Sequence, residues 1–216
     1  MVIFDLDGTL LDTSEGIFNC VRYVECNLGL QPIETEQLKV FIGPPPKEMY
    51  RKVYGLSEEM SSQAVDFHRE YGNLKAVYEA EVYEGIVEVL QWLKERKYLI
   101  GVATLKREKT AKKILEIHNL SQYFDIICGM NDKESLTKKE LIVNMLKKYN
   151  VSSAVLIGDT IYDYLAAKES GIEFLPVCYG FGYKNVDEKE IRDCCVIEEP
   201  RQIIYYFNEG CKNEGD

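Results

Sequence analysis

Asp5 and Asp7 stand two residues apart, directly after the apolar run Met1 to Phe4 and before Gly8 and Thr9. A second acidic pair, Asp159 and Asp163, follows the apolar run AVLIG. Four residues separate its members where a helical pattern begins, so both carboxylates share one helix face. Between the pairs lie Thr104, ending the run YLIGVAT, and Lys138, opening a helical segment after a polar stretch. Carboxylates converging on one point repel one another, and their pKa values rise unless a cation sits among them. An all-oxygen ligand set suits Mg²⁺, which keeps several waters and bridges readily to phosphate. A hydroxyl and an ammonium suit the remaining oxygens of that phosphate. The reading is therefore an acidic nest for Mg²⁺ built from Asp5, Asp7, Asp159 and Asp163, with Thr104 and Lys138 on the phosphate side. A calcium loop does not fit: counted from Asp5, its sixth and twelfth positions are Leu10 and Gly16, where glycine and glutamate are required.

Strands must bring these residues together. Met1 to Phe4 is short and apolar throughout, YLIGVAT and AVLIG read like it as strands buried on both faces, and FDIIC is strand-like; FLPVC and CCVI are shorter candidates. Helical patterns separate them: Ile86, Val89, Leu90 and Leu93 share one face, and Leu141, Ile142, Met145 and Leu146 another. Strand and helix alternate from about residue 83 onward, which implies an α/β fold with a doubly wound, Rossmann-like parallel sheet. In such sheets ligands bind at the carboxyl ends of the strands, where the four chemical motifs lie. The 14–81 segment is helical in pattern: Ser14 as a cap leads a helix with Ile17, Phe18, Val21, Val24 and Leu28, and Thr35 to Phe41 reads as a short helix. A rigid loop over Gly43 to Pro46 follows, then helix near Lys47 and from Ser57 to about Tyr78. The expected organisation is a core of 1–13 and 82–216 with a helical cap inserted at 14–81.

Composition narrows the function. The chain has 216 residues, 46% hydrophobic, with a formal net charge of −10. An acidic surface repels nucleic acid and anionic membranes, so neither is expected as a partner. A small anionic substrate remains compatible if the site brings its own cation. Seven cysteines without CxxC spacing read as reduced thiols of a cytoplasmic protein. No basic leader or long apolar span is expected. The run Lys106, Arg107, Lys109, Lys112, Lys113 reads as a solvated helix face from which Lys106 can reach the site. Monomer and dimer are equally compatible with the sequence.

DLDGTLLD, the Thr104 strand end, Lys138 and GDTIYD together resemble the four motifs of haloacid dehalogenase-like hydrolases. The likeness runs in order along nearly the whole chain. D-x-D-G-T alone has a chance rate on the order of 10⁻⁵ per start position at average composition. DLDGTLLDTSEGI, FIGPPP and the late YGFG resemble the phosphoglycolate phosphatase and 5′-nucleotidase-like branch, which carries a helical cap after the first strand. The resemblance implies a Mg²⁺-dependent phosphatase acting on a small phosphorylated metabolite. Asp5 would be nucleophile and Asp7 general acid and base; Gly8, Thr104, the Leu105 N–H and Lys138 would hold the phosphoryl group. Asp159 would bind the metal with Asp5 and the Asp7 carbonyl, and Asp163 would act as ligand or behind the ligands. This chain departs from the pattern at Thr137-Lys138-Lys139, where lysine-proline is common, so Lys139 competes with Lys138. Asp163 alone would pass for a first-turn aspartate favoured by the helix dipole. Lys47 and Arg51, after the proline loop, are the substrate candidates of the cap. A phosphorylatable receiver-type signalling domain and a catalytically silent Mg²⁺-binding scaffold are the alternatives.

Overall fold

A computed structural model of the chain describes residues 1–131, 136–183, 189–192 and 194–209. The expected frayed tail, 210–216, lies outside the described residues, as does most of the polar stretch before Lys138. In chain order the elements are β1 (Val2–Phe4), β2 (Leu11–Asp12), α1 (Ser14–Leu28), α2 (Thr35–Leu38), α3 (Pro46–Tyr54), α4 (Glu58–Leu74) and β3 (Glu81–Val82). Then come α5 (Ile86–Glu95), β4 (Ile100–Arg107), α6 (Glu108–Ile117), β5 (Ile126–Met130), α7 (Lys138–Tyr149), β6 (Val155–Gly158), α8 (Ile161–Ser170), β7 (Glu173–Pro176) and α9 (Gln202–Glu209). The chain divides into two compact units, Met1–Leu11 with Val82–Asp216, and Asp12–Glu81. No helix among the described residues is long and apolar enough to cross a membrane.

The larger unit is built on a five-stranded sheet in the order β5-β4-β1-β6-β7, with every described pairing parallel. Parallel pairing needs a crossover between successive strands, and the helices supply it. The strands are apolar on both faces because helices cover both. Ile3, Leu156, Ala103, Ile142, Met145 and Ala167 form one buried cluster on this plan. Phe4 stands level with Val102 on one side and Ile157 on the other. Strands β1 and β6 therefore reach their carboxyl ends almost together, and Asp5 and Asp159 leave the sheet there, while β4 runs on.

Several expectations need adjusting. CCVI does not form a strand; it contributes one bridge, Ile197 to Val177. Strand β4 does not stop at Thr104 but continues to Arg107 through an irregularity in its pairing with β5, and α6 accordingly starts at Glu108 rather than Lys106. The final helix α9, which carries only a short apolar stretch, was not expected. Five cysteines are free thiols (Cys20, Cys26, Cys128, Cys178 and Cys194), whereas Cys195 is disulfide-bonded, so the expectation of seven reduced thiols does not hold.

The smaller unit, Asp12–Glu81, is helical. Thr13 precedes α1, and Ser14, expected as the cap, is its first helical residue, with its hydroxyl 2.6 Å from Asp12 Oδ1. Pro46 opens α3 instead of closing the proline loop; proline suits the first turn because its missing N–H has no partner to lose there. Ile17, Val21 and Val24 of α1 are buried in this unit, as are Tyr50, Ala64 and Val65. Glu25 is buried with them, and its carboxylate accepts hydrogen bonds from the Tyr54 hydroxyl at 2.6 Å and the Ile33 N–H at 2.9 Å.

Candidate active site

Asp5 follows β1, and its N–H donates to the Ile157 carbonyl at 2.9 Å, a last rung of the ladder that fixes where its side chain starts. Asp159 follows β6, and Asp163 sits in the first turn of α8. Asp5, Asp159 and Asp163 are all buried, and one carboxylate oxygen from each lies within 4.8 Å of the others. Such a spacing of hard oxygen donors could hold one divalent cation. The Asp7 carboxylate does not belong to this group: it turns toward Lys106, whose Nζ is 3.1 Å from Asp7 Oδ1. The structure thus separates the side chain of Asp7 from the three carboxylates with which the sequence reading grouped it. A metal contact through its backbone carbonyl is untouched by that separation.

Lys138 is the first residue of α7, held there by a capping box between Thr137 and Glu140. It is buried, with Nζ donating to Asp5 Oδ1 at 2.5 Å and also to Asp163 Oδ1. Its neighbour Lys139 is half-exposed and pairs at 3.7 Å with Glu169. Helical geometry turns consecutive residues through about 100°, so only one of the two lysines can face the carboxylates. Asp163 divides its two oxygens: Oδ1 accepts from Lys138, while Oδ2 accepts from the N–H and hydroxyl of Thr160, at 3.0 and 2.6 Å.

Asp159 is fully buried, and its Oδ2 accepts two backbone N–H groups, from Phe181 at 2.7 Å and Gly182 at 3.2 Å. The Thr9 hydroxyl lies 3.4 Å from Oδ1. The loop Tyr179 to Gly182 was not assigned a site role in the sequence reading, although its paired glycines in YGFG were visible. The Tyr179 hydroxyl donates to the Thr9 carbonyl at 2.9 Å, tying this loop to the one after β1. Gly8 has φ +86°, and a Cβ there would sit 2.3 Å from Asp159 Oδ2. Glycine is thus required at this position by the aspartate itself, besides any need to admit a phosphate.

Burial pushes the Asp5 carboxyl well above the ordinary range; Lys138 opposes this, while Asp163, Asp159 and Asp7 add to it. Burial, with Asp163 beside it, pushes Asp159 up to about 7 against the two N–H donors and Lys138. For Lys138, burial disfavours the ammonium, but Asp163 and Asp5 overcome it and hold the pKa above the ordinary lysine value. Buried carboxylates strained in this way are relieved by a cation.

Thr104 is buried in β4, and its hydroxyl accepts the Lys106 N–H at 3.1 Å. Leu105 follows it, partly exposed. In the smaller unit Lys47 and Arg51 both pair with Glu58, at 2.5 and 3.1 Å, and all three are well exposed.

The model of haloacid dehalogenase-like hydrolases matches residues 2–177, a span that holds both acidic pairs, Thr104 and Lys138. This chain belongs to that family. It is 34% identical to a 5′-nucleotidase of Pseudomonas aeruginosa, over 94% of each chain. It is 30% identical to a phosphoglycolate phosphatase of Agrobacterium fabrum, covering 92% of this chain and 88% of the other. Among solved structures, a predicted phosphatase from Clostridium acetobutylicum superposes with a TM-score of 0.86 at 33% identity, covering 95% of this chain and 96% of that one. The hydrolase family accounts for the second acidic pair and for the 12–81 unit, neither of which the receiver-type alternative requires.

Proposed function

We propose that this hydrolase is a Mg²⁺-dependent phosphatase that cleaves a small phosphate monoester through an aspartyl-phosphate on Asp5. Phosphomonoesterase activity is supported by the family and by the phosphatase and nucleotidase names of its relatives. The observation that carries the reading is the meeting of Asp5, Asp159 and Asp163 around one ammonium, Lys138. When all are ionised, three carboxylates and one ammonium leave an excess of two negative charges, which a divalent ion would cancel. Asp5, Asp159 and the Asp7 carbonyl would hold that ion, with Asp163 beside or behind them. Bound there, Mg²⁺ would supply charge neutralisation for the phosphoryl oxygens.

In this reading an Asp5 oxygen attacks phosphorus, the ester P–O bond breaks, and Asp7 gives its proton to the departing oxygen. Asp7, now a carboxylate, then takes a proton from the water that attacks phosphorus, releasing inorganic phosphate and returning Asp5 as carboxylate. The Lys138 ammonium, Thr104 hydroxyl and Leu105 N–H hold the phosphoryl oxygens as charge builds on them, and Gly8 lets the backbone come close to them. Residues 14–81 act as a cap that selects the substrate. Phosphoglycolate-like acids and 5′-nucleotides are the leading substrate classes, on the strength of the two relatives named above.

The test is rapid-quench kinetics. Asp5→Asn should form no acid-stable phosphoenzyme and turn over no ester. Asp7→Asn should slow the phosphoenzyme burst by ~10²–10⁴-fold for an alkyl phosphate. The same variant should slow it far less for p-nitrophenyl phosphate, whose leaving group needs no proton. Phosphoenzyme formation by Asp5→Asn removes Asp5 from the nucleophile role, and equal slowing of both esters removes Asp7 from the acid role.

A further inference from the structure

We propose that Lys106 is the positioning residue for Asp7, set in place by a purpose-built irregularity in β4. This rests on the reading of Asp7 as the proton donor and adds to it the group that aims the carboxyl. From Ala103 to Arg107 strand β4 advances four residues, while its partner β5 advances only from Cys128 to Met130. The surplus chain is taken up as a bulge, a device that re-aims side chains beside active sites. Two features stabilise it. The Thr104 hydroxyl accepts the Lys106 N–H at 3.1 Å, folding the strand back on itself. On β5, Gly129 leaves room for it: a Cβ there would stand 2.6 Å from the Lys106 carbonyl oxygen and 2.7 Å from Glu108 Cα.

The result is specific. A regular strand alternates its side chains between faces, and the bulge breaks this alternation just after Thr104. The Lys106 ammonium lies 3.1 Å from Asp7 Oδ1, and the two side chains are only 21% and 12% exposed. Lys138 engages Asp5 and Asp163, so each aspartate of the opening pair has its own lysine. A carboxyl that must deliver a proton needs one oxygen held and the other aimed. A lysine donating to Oδ1 holds the first, and the proton then travels on the second. Because a misplacement of about 1 Å can cost ~10²-fold in rate, loss of Lys106 should injure the acid step in particular.

The experiment compares Lys106→Met, Lys106→Arg, Asp7→Asn and the Lys106→Met/Asp7→Asn double variant in rapid-quench bursts with Mg²⁺, each first shown folded by its thermal transition. Lys106→Met should slow the alkyl-phosphate burst by roughly 10–100-fold and the p-nitrophenyl burst by much less. Lys106→Arg, which keeps a donor, should recover most of the loss. In the double variant, Lys106→Met should add little to Asp7→Asn. Equal slowing of both esters by Lys106→Met, additive to Asp7→Asn, would mean that Lys106 meets the phosphate directly and overturns the inference; so would an unchanged alkyl burst. Either outcome leaves the acid role standing if Asp7→Asn still separates the two esters. If Asp7→Asn itself slows both equally, the acid role fails first.

Discussion

Lys138 Nζ lies 2.5 Å from Asp5 Oδ1, although 133 residues separate the two in sequence. The contact joins the carboxyl end of the central strand to the first turn of a helix two crossovers later. Lys138 is also the only cation described among the buried polar residues, which otherwise include Asp5, Asp159 and Asp163. This buried ammonium opposes the charge of the cluster directly, and its removal should be felt in both stability and chemistry.

Lys138→Met preserves volume but leaves the carboxylates without that charge. Breaking a buried ion pair from one side typically costs about 3–5 kcal/mol. The loss should approach this range at pH 8 without metal and shrink at pH 5, where the carboxyls can take up protons instead. Lys139→Met, on the half-exposed neighbour, should stay within about 0.5 kcal/mol. Urea unfolding of both variants, with phosphatase turnover alongside, checks the contrast. Comparable losses for the two would break the assignment of Lys138.

The raised carboxyls set the pH dependence of the metal-free protein. Asp159 is held at about 7 by burial and by Asp163, and Asp5 is pushed the same way. An acid whose pKa is higher folded than unfolded binds more protons in the folded state between the two values. Its favourable contribution is thus complete below about pH 4 and is lost as pH rises through about 7. Chelator-treated protein should become less stable from pH 5 to pH 8, and millimolar Mg²⁺ should remove most of that decline. In Asp159→Asn the decline should be smaller and the response to Mg²⁺ weak. Wild-type protein with equal stability at both pH values in chelator would contradict this.

Much of this site was legible because its residues sit where apolar runs end. Three apolar runs, with Asp5 and Asp159 just after two of them and Thr104 closing the third, are enough to bring these residues to one edge of a parallel sheet. Lys138 stands four residues before the inward-facing Ile142, a spacing that places it rather than Lys139 on the inward face of the helix. What escaped the sequence was backbone geometry. The β4 bulge arises from a hydroxyl-to-backbone bond at Thr104 and from space over Gly129, neither of which alters the apolar pattern. Tyr179 to Gly182 act mainly through main-chain N–H groups and closeness, which leave as their trace two glycines two residues apart. The side-chain direction of Asp7 depends on Lys106, and charge pattern alone read Lys106 as part of a solvated face.

Lys47 and Arg51 test substrate choice. Both pair with the exposed Glu58, and the Lys47 contact is the main cause of the lowered Glu58 pKa. Exposed pairs of this kind add little stability, so Lys47→Ala and Arg51→Ala should unfold close to wild type. If they meet a substrate carboxylate or phosphate, they should reorder a panel of phosphate esters while sparing p-nitrophenyl phosphate. A uniform fall over the whole panel, or none, would take both residues out of substrate selection.

Gly180 offers the sharpest probe of how Asp159 is held. An added Cβ would stand 2.3 Å from the Gly8 carbonyl oxygen and 2.5 Å from Asp159 Oδ2. Both are nearer than real Cβ atoms come, and both neighbours belong to the proposed metal and phosphate site. Gly180 does not have a positive φ, so Gly180→Ala meets crowding without backbone strain. Overpacking typically costs about 1–3 kcal/mol, and here the movement falls on Asp159 or on the loop after β1. The Mg²⁺ concentration for half-maximal activity should rise by at least roughly tenfold, equivalent to about 1.4 kcal/mol of binding. Gly171 is the matched control: it ends α8 at φ +68° with nothing within 4 Å of an added Cβ. Gly171→Ala should cost about 1–2 kcal/mol of stability through its left-handed backbone and leave the Mg²⁺ requirement unchanged. Titrating Mg²⁺ against turnover in both variants, with thermal unfolding of each, separates metal placement from general destabilisation. Equal shifts in the Mg²⁺ requirement would assign the Gly180 effect to stability alone and leave the Tyr179 to Gly182 loop without a part in holding the metal.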